Sequence, residues 1–581
     1  MLRRRLVYLC SVVLLSAVMQ AQRAEPYFHR EAVGVRAPLP PPRIAEKAAM
    51  SPAASLAAAN VAEPDRIWEL RRWNEEGKLP AKNGFARAVG QRVAVRIGAA
   101  VAQSAATGAK PFGGGVIATT ARGVAWGATF NVAGSYRLRL RLDNILLPED
   151  ALLWVYGEGE NPIAFGRELI DDEGGIWTPS VGGPTVFLEL EMPAGAEAAF
   201  DVQELMEIVG ADPRSEDLPT CLIDASCVAT SILDVVEEYR RSTAQLQYAK
   251  NGGNFVCSGA LVNAGNSGIP YLLTANHCFS TAASATSLEA FWDYRTPFCN
   301  GPIPQLGSMQ RSNGSALLAT SAASDFTFVK LNSIPAGRWF MGWDARTASV
   351  PHGAVLHRIS YPFPNGFPAP LSQTYTGRLV NTVTSTCNTL PRPNFVYSQA
   401  GVSGTYGGSS GSPTILSGGR IVGQLYGACG PAPADGCDLR NYAVDGALSS
   451  TYPSIATYLN TTSLPPCGSN SITACLSGKR FKVTVKWKTA NGQSGDGQAI
   501  EYTPESALFW FFGSTNIEMI LKILNGCGLN QRYWVFAAAT TDVEYTITVT
   551  DTKTGTVKTY FKGLGTPAPA VTDTGAFASC P

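Results

Sequence analysis

Apolar and polar positions alternate along much of the chain. Tyr136, Leu138 and Leu140 interleave with Arg137, Arg139 and Arg141, and Val186, Leu188, Leu190 and Met192 partly interleave with Glu189 and Glu191. ALLWVYGEG at 151–159 adds a strand and a turn. A period of two, punctuated by Gly and Pro, predicts a small antiparallel β-sandwich from about 85 to 207. The pattern returns near the C-terminus. Phe481, Val483, Val485 and Trp487 alternate with Lys482, Thr484, Lys486 and Lys488, and Tyr545, Ile547 and Val549 alternate with Thr546 and Thr548. A second sandwich over 464–581 follows. Residues 221–460 read as short strands and long loops, with one helix at ILDVVEEYRR, where Ile232, Val235, Val236 and Tyr239 share a face.

Two stretches break the pattern. Arg3, Arg4 and Arg5 precede an apolar run, Leu6 to Met19, too short to span a bilayer, and Ala21 makes a cleavage edge. This is the signature of a secretory signal peptide. Cys10 lies inside the run rather than after it, which argues against a lipoprotein anchor. No other stretch is apolar enough to span, so the mature product is expected to be soluble and exported, with no membrane anchor. Residues 22–64 are rich in Ala and Pro, lack a sustained apolar face and predict a mobile leader.

Composition sharpens this picture in three places. The 58 Gly and 38 Pro suit many short strands joined by tight turns. Lys+Arg at 46 against Asp+Glu at 45 leaves no electrostatic footprint for nucleic acid. Of 13 Cys, one leaves with the signal, and an even set of 12 in an oxidising compartment predicts structural disulfides. No CxxC or HExxH motif occurs, so neither a metal nor a cofactor is expected.

Only four His are present, and one has a telling context. His277 ends the apolar strand of YLLTANHC, where a disulfide at Cys278 holds the imidazole in place, with Cys257 of FVCSGALV its natural partner. The turn GGSSGSP (407–413) is built to converge backbone N–H groups on one point. Gly408 and Gly411 permit the unusual φ/ψ this needs, and the N–H groups of Gly408 and Ser410 then form an oxyanion hole beside the Ser410 hydroxyl. Asp325, heading the strand SDFTFVKL, supplies a carboxylate to orient the imidazole. The same turn matches G-x-S-x-G with Ser409 as nucleophile, but that elbow needs a His after the Ser, and no His follows residue 357. The subtilisin order leaves Asp325 without a role. The order His277, Asp325, Ser410 is that of chymotrypsin.

With those stretches in hand, residues 221–460 resemble the bacterial lysyl endopeptidases, a branch of the trypsin-like serine proteases. The likeness rests on CLIDASC (221–227), CSGALVN (257–263), YLLTANHC, SDFTFVKLN (324–332), GWD (342–344), GSSGSP (408–413) and GQLYG (423–427). It implies an all-β chain with a double β-barrel, the active site in the cleft between barrels, and a protein or peptide as substrate. After the signal peptide at 1–21 and the Ala/Pro-rich leader at 22–84 read above, it further implies a propeptide sandwich at 85–214 acting as intramolecular chaperone and inhibitor. The protease domain is then 215–462 and the accessory sandwich 463–581, with processing after Arg214. A monomer is expected.

The resemblance also implies disulfides Cys227–Cys299 and Cys257–Cys278, and a bond from Cys221 to Cys429 that leaves Cys387 for Cys437. Cys467, Cys475, Cys527 and Cys580 close the last domain among themselves. Where the family carries an S1 Asp, this chain has Arg440, with Asp435 and Asp438 close by. Where the family carries a His in the GQL-x-G strand, it has Tyr426. Tyr426 and Gly427 are expected along the substrate and a basic P1 residue is favoured, whereas a buried Arg440 would favour an acidic one. The rival reading is a secreted binding protein that keeps the fold without the chemistry.

Overall fold

The computed structural model describes residues 22–35, 39–49, 55–56, 64–104, 108–209, 219, 221–363, 373–382, 390–460, 467–553 and 556–580. Residues 1–21, expected as a signal peptide, and Arg214 and Cys387 lie outside them. The alternating stretches form strands, 48% of the chain against 12% helix. They divide into two compact units, residues 1–30, 38–263 and 270–456 in one and 31–37, 264–269 and 457–581 in the other.

The first unit opens with α1 (Pro64–Glu75) and β1 (Ala81–Ile97) and continues through β2 (Gly123–Asn131), β3 (Arg137–Leu146), β4 (Leu152–Gly157), β5 (Thr185–Met192) and β6 (Ala198–Ile208). β3, β6 and β1 pair as one layer, and β4, β5 and β2 as the other. Trp126, Phe130, Leu138, Leu140, Leu188 and Phe200 pack between them.

After α2 (Val236–Ser242) come β7 (Thr243–Lys250), β8 (Gly253–Leu261), β9 (Tyr271–Ala275), β10 (Glu289–Trp292), β11 (Arg311–Asn313), β12 (Ser315–Ser321) and β13 (Phe326–Leu331). β11 and β12 are halves of one strand bent at Gly314, whose φ is +75°. Pairing runs β8, β7, β10, β11/β12, β13, β9 and back to β8, which makes a six-stranded barrel. The second ring uses β14 (Val355–Ser360), β15 (Thr374–Val380), β16 (Phe395–Val402), β17 (Pro413–Leu416), β18 (Arg420–Cys429) and β19 (Tyr442–Ala447). It closes through the pairing of β18 with β19. This is the double-barrel architecture expected from the sequence.

The structure adds one feature that alternation does not show and departs from the sequence reading at three points. Arg137, Arg139 and Arg141 do not face water, because β1 also pairs with β8 and so one twelve-stranded sheet runs from the sandwich into the first barrel. The arginine face lies against that barrel. Arg139 donates to Ser287 O (2.6 Å), Glu289 accepts Ser180 N (2.9 Å), and Asn254 donates to Asn83 Oδ1 (2.8 Å). Each of these buried side chains makes at least one such bond, which offsets part of the cost of burying it.

The leader is ordered at its start. Arg23–Ala24 and Tyr27–His29 add as strands to Gly342–Asp344 and Arg338–Phe340, and Glu25 pairs with Arg420 at 2.8 Å. An exposed strand edge captures an extended segment through main-chain bonds, which demand no apolar periodicity from it. The helix is shorter than predicted, beginning at Val236, with Val236 and Tyr239 buried and Ile232 exposed. Finally, Cys221 pairs with Cys437, not Cys429. Ser403 and Gly404 bring the two together: Ile223 N donates to Ser403 Oγ (3.1 Å), and Gly436 lies directly against Gly404. Cys429 is disulfide-bonded to a partner outside the described residues. Cys227–Cys299, Cys257–Cys278, Cys467–Cys475 and Cys527–Cys580 form.

The second unit is a sandwich of two five-stranded sheets. Phe481, Val483, Val485, Phe509, Phe511, Tyr533 and Val535 fill its core. The aromatic stretches at 508–513 and 533–536 thus send Phe509, Phe511 and Tyr533 into the core, with Phe512 left exposed.

Candidate active site

β9 ends at Ala275, and the next residues turn under two constraints. Asn276 N donates to Asp325 O (3.1 Å), and the Cys257–Cys278 bond staples the far side of the turn. Asp325 adopts φ +50°, a left-handed conformation that Asp tolerates. This aims its carboxylate back at the turn. Oδ1 accepts His277 N (2.9 Å) and Oδ2 meets His277 Nδ1 at 2.8 Å. The carboxylate is 3% exposed by residue, and Gln424 Nε2 holds the main chain behind it at Ser324 O (2.7 Å) and Asp325 O (3.2 Å).

The Ser410 turn is built by close packing against β8 and β9. Gly408 (φ +83°) and Gly411 (φ +77°) both need glycine. A Cβ on Gly408 would stand 2.6 Å from Tyr361 O, and one on Gly411 2.2 Å from Thr274 Oγ1. Ser258 N donates to Ser410 O (2.8 Å), Ser258 Oγ donates to Gly408 O (2.9 Å), and Gly411 N donates to Leu425 O (2.9 Å). Gly407 O accepts Phe363 N (2.6 Å), so the 407–408 peptide turns its N–H the other way. Among the described residues the amides of Gly408 and Ser410 have no protein acceptor. Ser409 is fully buried and accepts a bond from Ser360 Oγ (3.0 Å), so it is the framework residue of the pair.

His277 Nε2 is buried and makes no hydrogen bond, to Ser410 Oγ or to any other described atom. The structure thus brings the carboxylate and imidazole into contact and sets the Ser410 turn against the same strands, with the hydroxyl not yet engaged.

Tyr426 stands edge-on to the His277 ring, 5.7 Å between centroids, and edge-on to Phe395 at 5.8 Å. Gly427 follows it on β18. Arg440 does not lie in a pocket: its side chain is 74% exposed and forks onto both oxygens of Asp438. Asp435 is the freer carboxylate of the loop, receiving Cys437 N (2.9 Å) and Tyr406 OH (3.4 Å).

Two supporting cations gave no sequence signal. Lys250, at the end of β7, donates to His277 O (3.0 Å) and Cys278 O (2.9 Å), and burial pushes its pKa down against the pull of Asp325. Arg358 is buried under the Ser410 turn, donating to Ser412 O (2.8 Å), Ser412 Oγ (2.9 Å), Thr414 Oγ1 (2.6 Å) and Asp445. A Lys at a hairpin and an Arg inside a strand carry no local mark of the distant segments of the same chain that receive them. Among the described residues no cluster of His, Cys, Asp or Glu could hold a metal ion, and no helix is long and apolar enough to cross a membrane.

Comparison with known proteins gives two family matches: the lysyl endopeptidase C-terminal domain over residues 216–439 and the lysyl endopeptidase N-terminal domain over 117–203. A lysyl endopeptidase of Pseudomonas aeruginosa is 26% identical over 355 residues, 56% of this chain and 72% of that protein. Secreted RxLR effector protein 73 of Plasmopara viticola is 31% identical over 221 residues, 37% of this chain and 51% of that one. Among solved structures, a thermostable serine protease, AL20, from an extremophilic microorganism aligns with TM-score 0.26 and 18% identity over 38% of this chain and 98% of its own. Anisep, a protease from Arthrobacter nicotinovorans, aligns with TM-score 0.27 and 18% identity over 38% and 95%.

Proposed function

The chain belongs among the lysyl endopeptidase-like proteases, and on that footing we propose that it is a secreted serine endopeptidase made as a zymogen. Ser410 is the nucleophile, His277 the general base and Asp325 the group that orients and charges the imidazole. The observation that carries this reading is the two-oxygen grip of Asp325 on His277, on N and on Nδ1. It fixes both ring orientation and tautomer, leaving Nε2 as the bare nitrogen. A rotation of the Ser410 side chain brings its hydroxyl to that nitrogen. Attack on a peptide carbonyl transfers the hydroxyl proton to Nε2, and the amides of Gly408 and Ser410 receive the negative oxygen. The imidazolium then protonates the leaving amine, and water repeats the sequence to release the acyl group.

The N-terminal sandwich acts as propeptide, and the linker at Arg214 is its processing site. Removal there leaves Cys221, tied to Cys437, near the new N-terminus. We further assign a basic P1 preference, with Asp435 as the carboxylate that meets it, since Arg440 already occupies Asp438 and no Arg is bonded to Asp435 among the described residues. A serine-directed phosphonate should label the processed wild-type enzyme, and Ser410→Ala should abolish labelling and lower kcat by ~10⁴-fold or more. Labelling that survives in Ser410→Ala refutes the assignment, and no labelling of wild type favours the binding-protein reading. Peptide-library cleavage reads P1 directly.

A further inference from the structure

The chain places a segment of its own across the candidate cleft. From the α1–β1 connection into the first residues of β1 runs Gly77-Lys78-Leu79-Pro80-Ala81-Lys82. Its start lies by Ala434: a Cβ on Gly77 would be 3.9 Å from the Ala434 Cβ. Leu79 comes next, with Cδ1 3.5 Å from where a Gly427 Cβ would sit. Ala81 has its Cβ 3.1 Å from the corresponding point on Gly407 and packs with Val256 and Phe363. Ala81 and Lys82 then pair antiparallel with Val256 and Phe255 of β8.

These contacts straddle Ser410. The Ser410 carbonyl accepts Ser258 N, two residues from Val256, and Gly411 N donates to Leu425 O, two residues from Gly427. A segment touching Gly427 at one end and Val256 at the other therefore crosses the nucleophile. Consistent with that cover, Ser410 is 2% exposed and the His277 side chain 17%.

The segment is also clamped by the helix before it. Trp73 Nε1 donates to Pro80 O (3.0 Å), so that carbonyl is engaged away from the Gly408 and Ser410 amides. Asn74 Nδ2 donates to Lys82 O (2.7 Å), and Asn74 Oδ1 accepts Lys82 N (2.9 Å). The Trp73 ring meets Phe255 edge-on at 6.0 Å, and the Lys78 and Lys82 ammonium groups lie over it at 5.3 and 5.7 Å. A segment preorganised this way gives up little entropy on docking and cannot follow the carbonyl movement that acylation requires.

We propose that Gly77–Lys82 is a pseudosubstrate strap. It blocks the cleft of the precursor by lying along the same two main-chain edges, Phe255–Val256 and Gly427, that an extended peptide substrate uses. The proposal rests on Ser410 being the nucleophile.

The test uses full-length secreted protein: wild type, Trp73→Ala/Asn74→Ala, and Leu79→Gly, whose native side chain is 40% exposed by residue and so threatens folding little. Each is pulsed with a serine phosphonate, and labelled species are separated by mass so that precursor and processed enzyme are counted apart. The expected result is precursor labelling at least tenfold faster in both variants than in wild type, with equal kcat/KM once processed. Should the paired variant fail to be secreted, Leu79→Gly decides alone. If processed enzyme labels and all precursors label equally fast, the strap is refuted while the Ser410 assignment stands. If processed enzyme does not label at all, the Ser410 assignment itself fails.

Discussion

Asp325→Asn isolates what the carboxylate does, because the structure dictates how an amide must sit in its place. Both native oxygens accept, one from His277 N at 2.9 Å and one facing Nδ1 at 2.8 Å. An amide can accept at only one of these. Its oxygen stays on the main-chain N–H, since the reverse orientation faces two donors at a buried site, at a penalty of about 1–3 kcal/mol. The amide NH₂ therefore faces Nδ1, which becomes the acceptor, and the ring proton moves to Nε2. That is the nitrogen that must be bare to take the Ser410 proton. A wrong-tautomer imidazole lowers kcat by about 10⁴-fold, which at 1.36 kcal/mol per decade is about 5.4 kcal/mol of lost transition-state stabilisation. The variant is nearly isosteric, so its melting temperature should move little. The assay is single-turnover and steady-state cleavage of a chromogenic peptide by enzyme processed in trans, alongside a thermal melt. A well-folded variant that loses less than tenfold in kcat would falsify the tautomer argument and remove Asp325 from the site.

Two other expectations follow from buried charges. Lys250→Met removes the ammonium from the carbonyls of His277 and Cys278; kcat should fall roughly tenfold with KM unchanged, since the groups lost hold the base and not the substrate, and Lys250→Arg should restore part of it. In the C-terminal sandwich, burial raises the Asp551 pKa, but the hydrogen bonds and charge of Arg480, with Ser579, outweigh it and leave the carboxyl below its ordinary value. A depressed folded-state pKa gives stability present above the unfolded value and lost as pH falls through the folded one. The melt of this unit should therefore weaken below about pH 4. Arg480→Gln strands a buried carboxylate and should cost about 3–5 kcal/mol near neutral pH, with the acid slope flattened or reversed. Melting curves against pH check both.

Much of the site was legible in the sequence because its chemistry is local. His277, Asp325 and Ser410 each sit in a short stretch whose glycines, disulfide cysteine or strand start constrain the backbone within a few residues, and such constraints survive without knowledge of the rest of the chain. The alternation that gave the two sandwiches is likewise a nearest-neighbour property. It tells which side of a strand is apolar and says nothing about what lies against the other side. Nothing in the alternation of β3 tells that a barrel covers its arginines, and residues 22–29 read as part of a mobile leader although a strand edge receives them.

Long-range pairing decided the remainder. Cys437 reached Cys221 because the 430–441 loop folds back onto Ser403–Gly404, a choice set by contacts between residues some two hundred apart in sequence. Lys250 and Arg358 became supports for the His277 and Ser410 turns only once β7 and β14, which carry them, were placed beside those turns, where the low dielectric makes their unpaired alternatives costly. Gly77–Lys82 carries no motif at all. Its place over Ser410 comes from β1 continuing the sheet of the first barrel, and only the three-dimensional path of the chain could reveal that the segment and the nucleophile meet.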